Sequence, residues 1–147
     1  MNKIKGRVVA LCTSQEKHVA KSSVERVFLK KDFGIEGDAH AGSGERQVSL
    51  LSRTSIEKMF KLGADLTHGA FGENMVVDGL DFKKISVGTR LLVGKTAVLE
   101  VVQIGKECHQ PCSIYRAVGY CVMPEEGIFA KVLESGEAEV SDFIFIQ

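Results

Sequence analysis

The sequence predicts a mostly β protein: a largely antiparallel β-barrel carrying one or two short helices. Short apolar runs rich in Val, Ile and Leu recur along the chain, each bounded by Gly, Asp or Asn, the pattern of strands joined by tight turns. Turns are punctuated by glycine (15 residues) rather than proline (2 residues). The best helical spacing is confined to residues 52–62. With 147 residues, 44% hydrophobic and 26% charged, the chain has the make-up of one globular domain, expected over 1–147.

In order, Gly6 to Cys12 reads as a strand and Val24 to Leu29 as a second. Phe33 to Glu45 holds four glycines and is expected to be irregular. Val48 to Leu51 is a short buried strand. Ser52 to Leu62 is the helix, with Thr54 or Ser55 as its cap and Gly63 as its stop. Ile56, Met59, Phe60 and Leu62 are expected to form its apolar face. Gly69 to Asn74 is a second glycine loop, and Met75 to Val77 resumes an extended chain. Arg90 to Val93 and Ala97 to Ile104 form a hairpin about Gly94-Lys95. Gly127 to Leu133 fits a helical turn or a strand, and Phe143 to Ile146 is a final buried strand, closing the barrel or pairing with another subunit.

Nineteen basic and nineteen acidic residues cancel, which argues against a nucleic-acid binder. The charge is uneven. Residues 1–31 hold eight Lys/Arg against Glu16 and Glu25, and residues 125–147 hold six acids against Lys131. Such segments are solvated faces that attract each other, or a basic rim for a small anion. No apolar run is long enough for a membrane span and no signal peptide is visible, so a cytoplasmic protein with no membrane partner is expected.

Four cysteines stand at 12, 108, 112 and 121, three of them within fourteen residues. In a reducing compartment they are thiols, metal ligands or nucleophiles. Cys12, inside a strand, reads as a small buried apolar residue. The segment KECHQPC, residues 106–112, follows the longest strand. Lys106, His109 and Arg116 there favour thiolate over thiol. A helical turn over 113–117 would place Cys112 at its N-terminal end, where free N–H groups favour a negative sulfur. Cys112 is thus the reactive candidate and Cys108 its resolving partner. An inert cluster remains open, as does structural zinc on Cys108, His109, Cys112 and Cys121, although C-x-x-x-C lacks the paired spacing of strong zinc motifs. The role of Cys121 stays open between core residue and second site sulfur.

Two further clusters carry polar groups in glycine loops. In GIEGDAHAGSG, residues 34–44, glycines let backbone N–H groups approach an anion, and Asp38 and His40 could bond a polar heterocycle. Local backbone bonding is the ordinary role of such an Asp. Arg46 adds a fork donor and Gln47 an amide. In GAFGENM, residues 69–75, Glu73 and Asn74 follow the loop, and a left-handed turn at the Asn is the ordinary alternative. No Ser-His-Asp or paired-carboxylate arrangement supports a hydrolase.

Taken in order, GIEGDAHAG (34–42), RQVSLL (46–51), GAFGENM (69–75), VGTRLLVG (87–94), LEVVQIGKECHQPC (99–112) and MPEEGIFAKVLESG (123–136) resemble the MOSC family, named for the C-terminal domain of molybdenum cofactor sulfurase. The likeness spans roughly residues 5–146 and is to the small stand-alone bacterial form. It implies a MOSC-like barrel, similar to the pyruvate-kinase barrel, with its key cysteine matched by Cys112. In one family role that cysteine is proposed to carry sulfur as a persulfide; in the amidoxime-reducing branch it ligates molybdenum in a bound pterin cofactor. The resemblance implies Gly37, Asp38, His40, Arg46, Gln47, Asn74 and Arg116 as candidates to hold the molybdenum cofactor. Together with the charge reading of KECHQPC, this makes Cys112, Cys108, His109 and Lys106 the expected catalytic group, and the resemblance implies Cys112 as ligand where molybdenum is bound. Without the sulfurase's aminotransferase-like domain, no pyridoxal phosphate is expected.

Ser141-Asp142 and His68 depart from the family's usual residues. No reductase-type N-terminal barrel and no flavin or haem signature is matched, which sets the reductase role behind the others. The expectation is a sulfur carrier, loaded by a cysteine desulfurase and discharging to the molybdenum cofactor or its carrier proteins. A molybdenum–pterin-binding protein is the alternative, and a non-enzymatic module is the third.

Overall fold

The computed structural model describes residues 5–17, 19–42, 44–63, 68–105 and 126–147. Lys106, Cys108, His109, Cys112, Arg116 and Cys121 lie outside the described residues.

Eleven strands are described: β1 (Lys5–Thr13), β2 (Ser22–Val24), β3 (Arg26–Lys30), β4 (Gly34–Ile35), β5 (Val48–Ser52), β6 (Met75–Asp78), β7 (Arg90–Val93), β8 (Ala97–Ile104), β9 (Ile128–Glu134), β10 (Gly136–Glu139) and β11 (Phe143–Ile146). Helix α1 spans Arg53–Lys61, and a 3-10 turn spans Phe82–Lys84. The main sheet runs β11-β7-β8-β9-β5-β6-β1-β2, and β11 also pairs with β1, so seven of these strands close a barrel and β2 hangs on its rim. All pairs are antiparallel except β5–β6. That parallel pair needs a crossover, and α1 supplies it. Bulges in β1 near Val9 and in β8–β9 near Val102 sharpen the local twist that closure demands. A three-stranded sheet, β10-β3-β4, sits against the barrel.

Alternation divides the side chains between two cores. Val8, Leu50, Met75, Leu91, Leu99, Ile128 and Ile144 fill the barrel, joined by Val27, Leu29, Ile35 and Ala138 of the small sheet. On the outer face, Ala10, Leu51, Val76 and Phe129 form a second cluster under Ile56 and Met59 of α1 and Phe71 of the second glycine loop.

Helix α1 is capped by Ser52, whose Oγ accepts the Ser55 N–H at 3.1 Å. The expected caps, Thr54 and Ser55, instead sit within hydrogen-bond distance of Ser52 Oγ through their hydroxyls, each at 2.9 Å. Ile56 and Met59 are buried, but Phe60 and Leu62 are exposed. At 100° per residue, those two fall roughly 70–90° to either side of the stripe through 52, 55, 56 and 59, too far round to reach the barrel.

The strand expected over 24–29 is broken at Glu25 into β2 and β3, which serve different sheets. Residues 128–134, open on periodicity, are a strand. β11 is half-buried: Ile144 is inside, while Phe143 is exposed beneath Lys5 and Arg7 at 4.5 and 4.9 Å from its ring centre. β10 and β4 were not visible in the sequence pattern. Among the described residues no helix is long and apolar enough to cross a membrane.

Candidate functional site

Lys21, read from sequence as part of a solvated basic segment, is buried, and it ties the two glycine loops together. Its backbone N–H donates to Gly69 O at 2.9 Å. Its ammonium donates to Asp38 Oδ1 at 2.7 Å and Ser14 Oγ at 3.2 Å, and lies 2.9 Å from His40 Nδ1. Asp38 also accepts the Ser14 N–H on Oδ1 (3.0 Å) and the His40 N–H on Oδ2 (3.1 Å). Burial raises the Asp38 carboxyl, but the Lys21 ammonium and the two N–H donors outweigh it and hold the group below the ordinary carboxylate range. The Asp38 side chain is fully buried and that of His40 is 45% exposed. A Cβ at Gly37, where φ is +85°, would meet open space.

In the second loop the Glu73 carboxylate is fully buried and accepts the N–H groups of Gly69 (2.9 Å) and Phe71 (3.1 Å). Burial pushes its carboxyl above the ordinary range, against the pull of those N–H groups and of His68. Gly69 has φ +92°, and a Cβ there would run into the Lys21 carbonyl, so only glycine lets the loop reach Lys21.

Asn74 is buried, and its amide is engaged at both ends. Oδ1 accepts from Ser49 N–H at 3.0 Å and lies 3.3 Å from Ser49 Oγ, while Nδ2 donates to Cys12 O at 3.0 Å. Gln47 is likewise engaged: Nε2 donates to Gly44 O at 2.9 Å and Gly42 O at 3.3 Å, and Oε1 accepts the Val132 N–H at 3.0 Å. It staples the first glycine loop to β9. Arg46 is exposed, with its guanidinium 5.7 Å from the Phe129 ring centre. Among the described residues no carboxylate pairs with it.

Phe129 stands opposite both Ser49 and Gln103 in the sheet, one residue along β8 from Ile104. The next residue, Gly105, donates its N–H to Gly127 O at 2.7 Å. The two flanks of segment 106–125, which carries Cys108 and Cys112, are therefore joined beside the Phe129–Arg46 stack. A groove of about 610 Å3 runs past the same flanks, lined by Ser52, Ser55, Lys58, Phe82, Ile104 and Glu126 among others. Its polar groups bond one another: Ser55 Oγ donates to Glu126 Oε1 at 2.7 Å and Lys58 Nζ to Glu126 Oε2 at 2.8 Å.

Cys12 is fully buried, with its thiol pushed up to about 11 by burial and by the nearby Glu73 carboxylate, against the Ser23 hydroxyl and the Lys21 charge. It is an inert thiol. Among the described residues no three metal-ligating side chains gather. The residues present fit the anionic, ring-bearing part of a pterin cofactor: Arg46 offers a fork donor with no ion-pair partner among the described residues, beside an aromatic face, and Gly37 offers open backbone. Lys21 is not available to such an anion, because Asp38 already holds it. The sequence pattern singles out Asp38, His40 and Arg46 as candidates but not Lys21 and Ser14, which the structure places against Asp38. A lysine and a serine in polar surroundings give no sign of burial; the odd feature was Asp38, an acid whose glycine neighbours left it without a local cation.

The structure is similar to that of the YuaD protein from Bacillus subtilis, with TM-score 0.81 and 18% identity over 99% of this chain and 97% of that one. It is also similar to YiiM from Geobacillus stearothermophilus (TM-score 0.69, 20% identity, 97% of this chain and 75% of that one). YiiM from Escherichia coli gives TM-score 0.66 and 20% identity over 96% and 69%. These likenesses concern the fold. No curated protein matches the sequence significantly. The family model of the MOSC domain matches residues 37–144, which takes in most of the first glycine loop, all of the second, the strands from β5 to β10 and the cysteine segment. On that match and this barrel, the chain belongs to the MOSC domain family.

Proposed function

We propose that the protein is a sulfur carrier in which Cys112 holds sulfane sulfur as a persulfide. The observation that carries the reading is the contrast between cysteines. Cys12 is sealed in the barrel wall with its thiol raised to about 11, which leaves the reactive sulfur to the segment flanked by Gly105 and Gly127. Lys106, His109 and Arg116 supply positive charge near Cys112 in sequence, which favours thiolate.

In loading, the Cys112 thiolate attacks the outer sulfur of a persulfide on a cysteine desulfurase. The donor's S–S bond breaks, the donor cysteine leaves as thiolate, and Cys112 gains the sulfur with no net redox change. In unloading, a nucleophile on the acceptor takes the outer sulfur and Cys112 departs as thiolate. The acceptor is the molybdenum cofactor or a carrier protein holding it, and Arg46 receives its anionic part. Cys108 protects that sulfur by exchange: its thiolate takes the outer sulfur, the S–S bond at Cys112 breaks, Cys112 leaves as thiolate, and the reverse step returns the sulfur with no net redox change. The setting is cytoplasmic.

A second reading is favoured by the Arg46–Phe129 stack: a molybdenum–pterin cofactor held in residence. The cofactor would then supply oxygen- or sulfur-transfer chemistry at its metal, with Cys112 as ligand and Arg46 and the Gly37 backbone holding the pterin.

The test is intact-mass spectrometry of protein purified anaerobically from cofactor-producing cells, with peptide mapping. The carrier reading expects one added sulfur on Cys112, removable by cyanide and absent from Cys112→Ser. Transferable sulfur persisting in Cys112→Ser would sink it, and a bound molybdenum–pterin mass would favour the second reading.

A further inference from the structure

We propose that the outer barrel face over β7, β11 and β1 is a docking surface for an acidic segment of a partner protein, whose carboxylates meet Lys5 and Arg7 and whose apolar side chains seat on Phe143, Phe145 and Leu92. The inference goes beyond the sulfur-carrier reading and does not rest on it.

Helix α1 covers the wall made by β5 and β6. On β7 and β11, by contrast, the outward residues stay open: Phe143 is 41% exposed, and Phe145 and Leu92 are half-buried. Leu91, Val93 and Ile144 take the inward positions. Register sets the outward residues side by side. Phe145 stands between Leu92 and Lys5, and Phe143 stands opposite Arg7. The two rings are 6.2 Å apart between centres and tilted by 48°. Three neighbouring strands thus carry a patch about 10 Å wide.

The charges on this patch are unanswered. Lys5 Nζ lies 4.5 Å and Arg7 Cζ 4.9 Å from the Phe143 ring centre. Neither cation has an ion-pair partner among the described residues. The neighbouring carboxylates are engaged. Asp78, opposite Arg7 in β6, is 3.5 Å from Arg53 Nη1, and Asp142 Oδ2 accepts the Glu139 N–H at 2.8 Å. Two like charges held against one ring repel each other, and a carboxylate reaching both relieves that repulsion. A guanidinium over a ring keeps its N–H edge for the two oxygens of a carboxylate. The aromatic surface beside it takes the apolar neighbours of that carboxylate.

The occupant is a short segment rather than a broad polyanion. A lipid surface or a nucleic acid wide enough to span the patch would also meet Asp78 and Asp142. A second copy docked by the same face would bring two like-charged pairs together.

The test is a ¹H–¹⁵N titration of the labelled protein with a short synthetic peptide, two leucines flanked on each side by two glutamates, up to about 1 mM. Shifts are expected at residues 5–7, 92 and 143–145. Lys5→Glu/Arg7→Glu should weaken binding about ten-fold, as should glutamine in place of the peptide's glutamates. Absence of shifts, shifts confined to another surface, or binding unchanged by charge reversal overturns the proposal. If the double variant does not fold, the glutamine peptide decides on the wild type: weakened binding supports the proposal and unchanged binding overturns it. Wild-type protein that sediments with phosphatidylglycerol vesicles but ignores the peptide overturns it in favour of lipid. Self-association through residues 143–145 without peptide binding overturns it in favour of a second copy. Neither Cys112 nor sulfur enters the measurement, so failure of the carrier reading leaves this result untouched.

Discussion

Replacing Asp38 with Asn should cost about 3–5 kcal/mol, the usual price of stranding one member of a buried ion pair. Both side chains of the Lys21–Asp38 pair are fully buried at 2.7 Å separation, so Asp38→Asn leaves an ammonium inside the protein with a neutral amide beside it. An exposed pair, by comparison, is worth about 0–1 kcal/mol. Against a typical total of about 5–15 kcal/mol, the loss is large but measurable. The assay is urea unfolding followed by circular dichroism. With a slope of about 2 kcal/mol/M, the midpoint should fall by roughly 1.5–2.5 M. The double variant Lys21→Met/Asp38→Asn removes both charges and should recover at least half of the loss, because the cost lies in the unpaired charge. The pH sign agrees. The folded-state carboxyl of Asp38 is lowered, so its contribution is complete above the unfolded value, about 3.9, and is lost as pH falls through the folded one. A loss below about 1 kcal/mol for Asp38→Asn, or a double variant no better than the single, would refute the reasoning.

Met59→Ala, which empties a buried position under α1, should cost about 2–5 kcal/mol in the same unfolding assay. Cys12, with its thiol near 11, should be roughly a thousandth ionised at pH 8; in a native alkylation time course mapped by peptide mass it should react last of the four cysteines, and only on unfolding. Glu73 has a raised folded-state carboxyl, so its contribution is fully present below the unfolded value and fades as pH rises through the folded one; the stability difference between wild type and Glu73→Gln should shift in favour of wild type as pH is lowered from 8 to 5. Arg46→Ala loses a stack on Phe129 worth about 0.5–1 kcal/mol at an exposed position, yet should slow sulfur transfer to the anionic acceptor several-fold, as read by cyanide-releasable sulfur remaining on the protein.

The barrel was legible because its strands announce themselves in β-branched residues, and the hairpin of β7 and β8 fell where its turn residues put it. What escaped were elements decided by tertiary contact. β10 reads GEAE, too polar for a strand in isolation, and it forms because Ala138 reaches the main core while Arg26 meets Glu139 at 3.4 Å across the pair with β3. The charge asymmetry seen along the chain thus has one physical meeting point there. In the site, glycine spacing flagged the loops and their polar residues, since close backbone approach demands glycine. It could not flag Lys21, because only the fold brings Gly69 O and Asp38 to that residue.

The pairing of β11 with β1 has a consequence in time. Residues 5–7 meet residues 143–145, some 136–140 positions further along, so the barrel cannot shut until β11 has left the ribosome. At about 5–20 residues per second, β1 waits roughly 7–30 s from its own synthesis for that neighbour. For that interval Val8 and Leu11, fully buried in the finished barrel, face a sheet with one open seam. The growing chain is then most exposed to mispairing, and chaperone holding would protect it best over that stretch of synthesis.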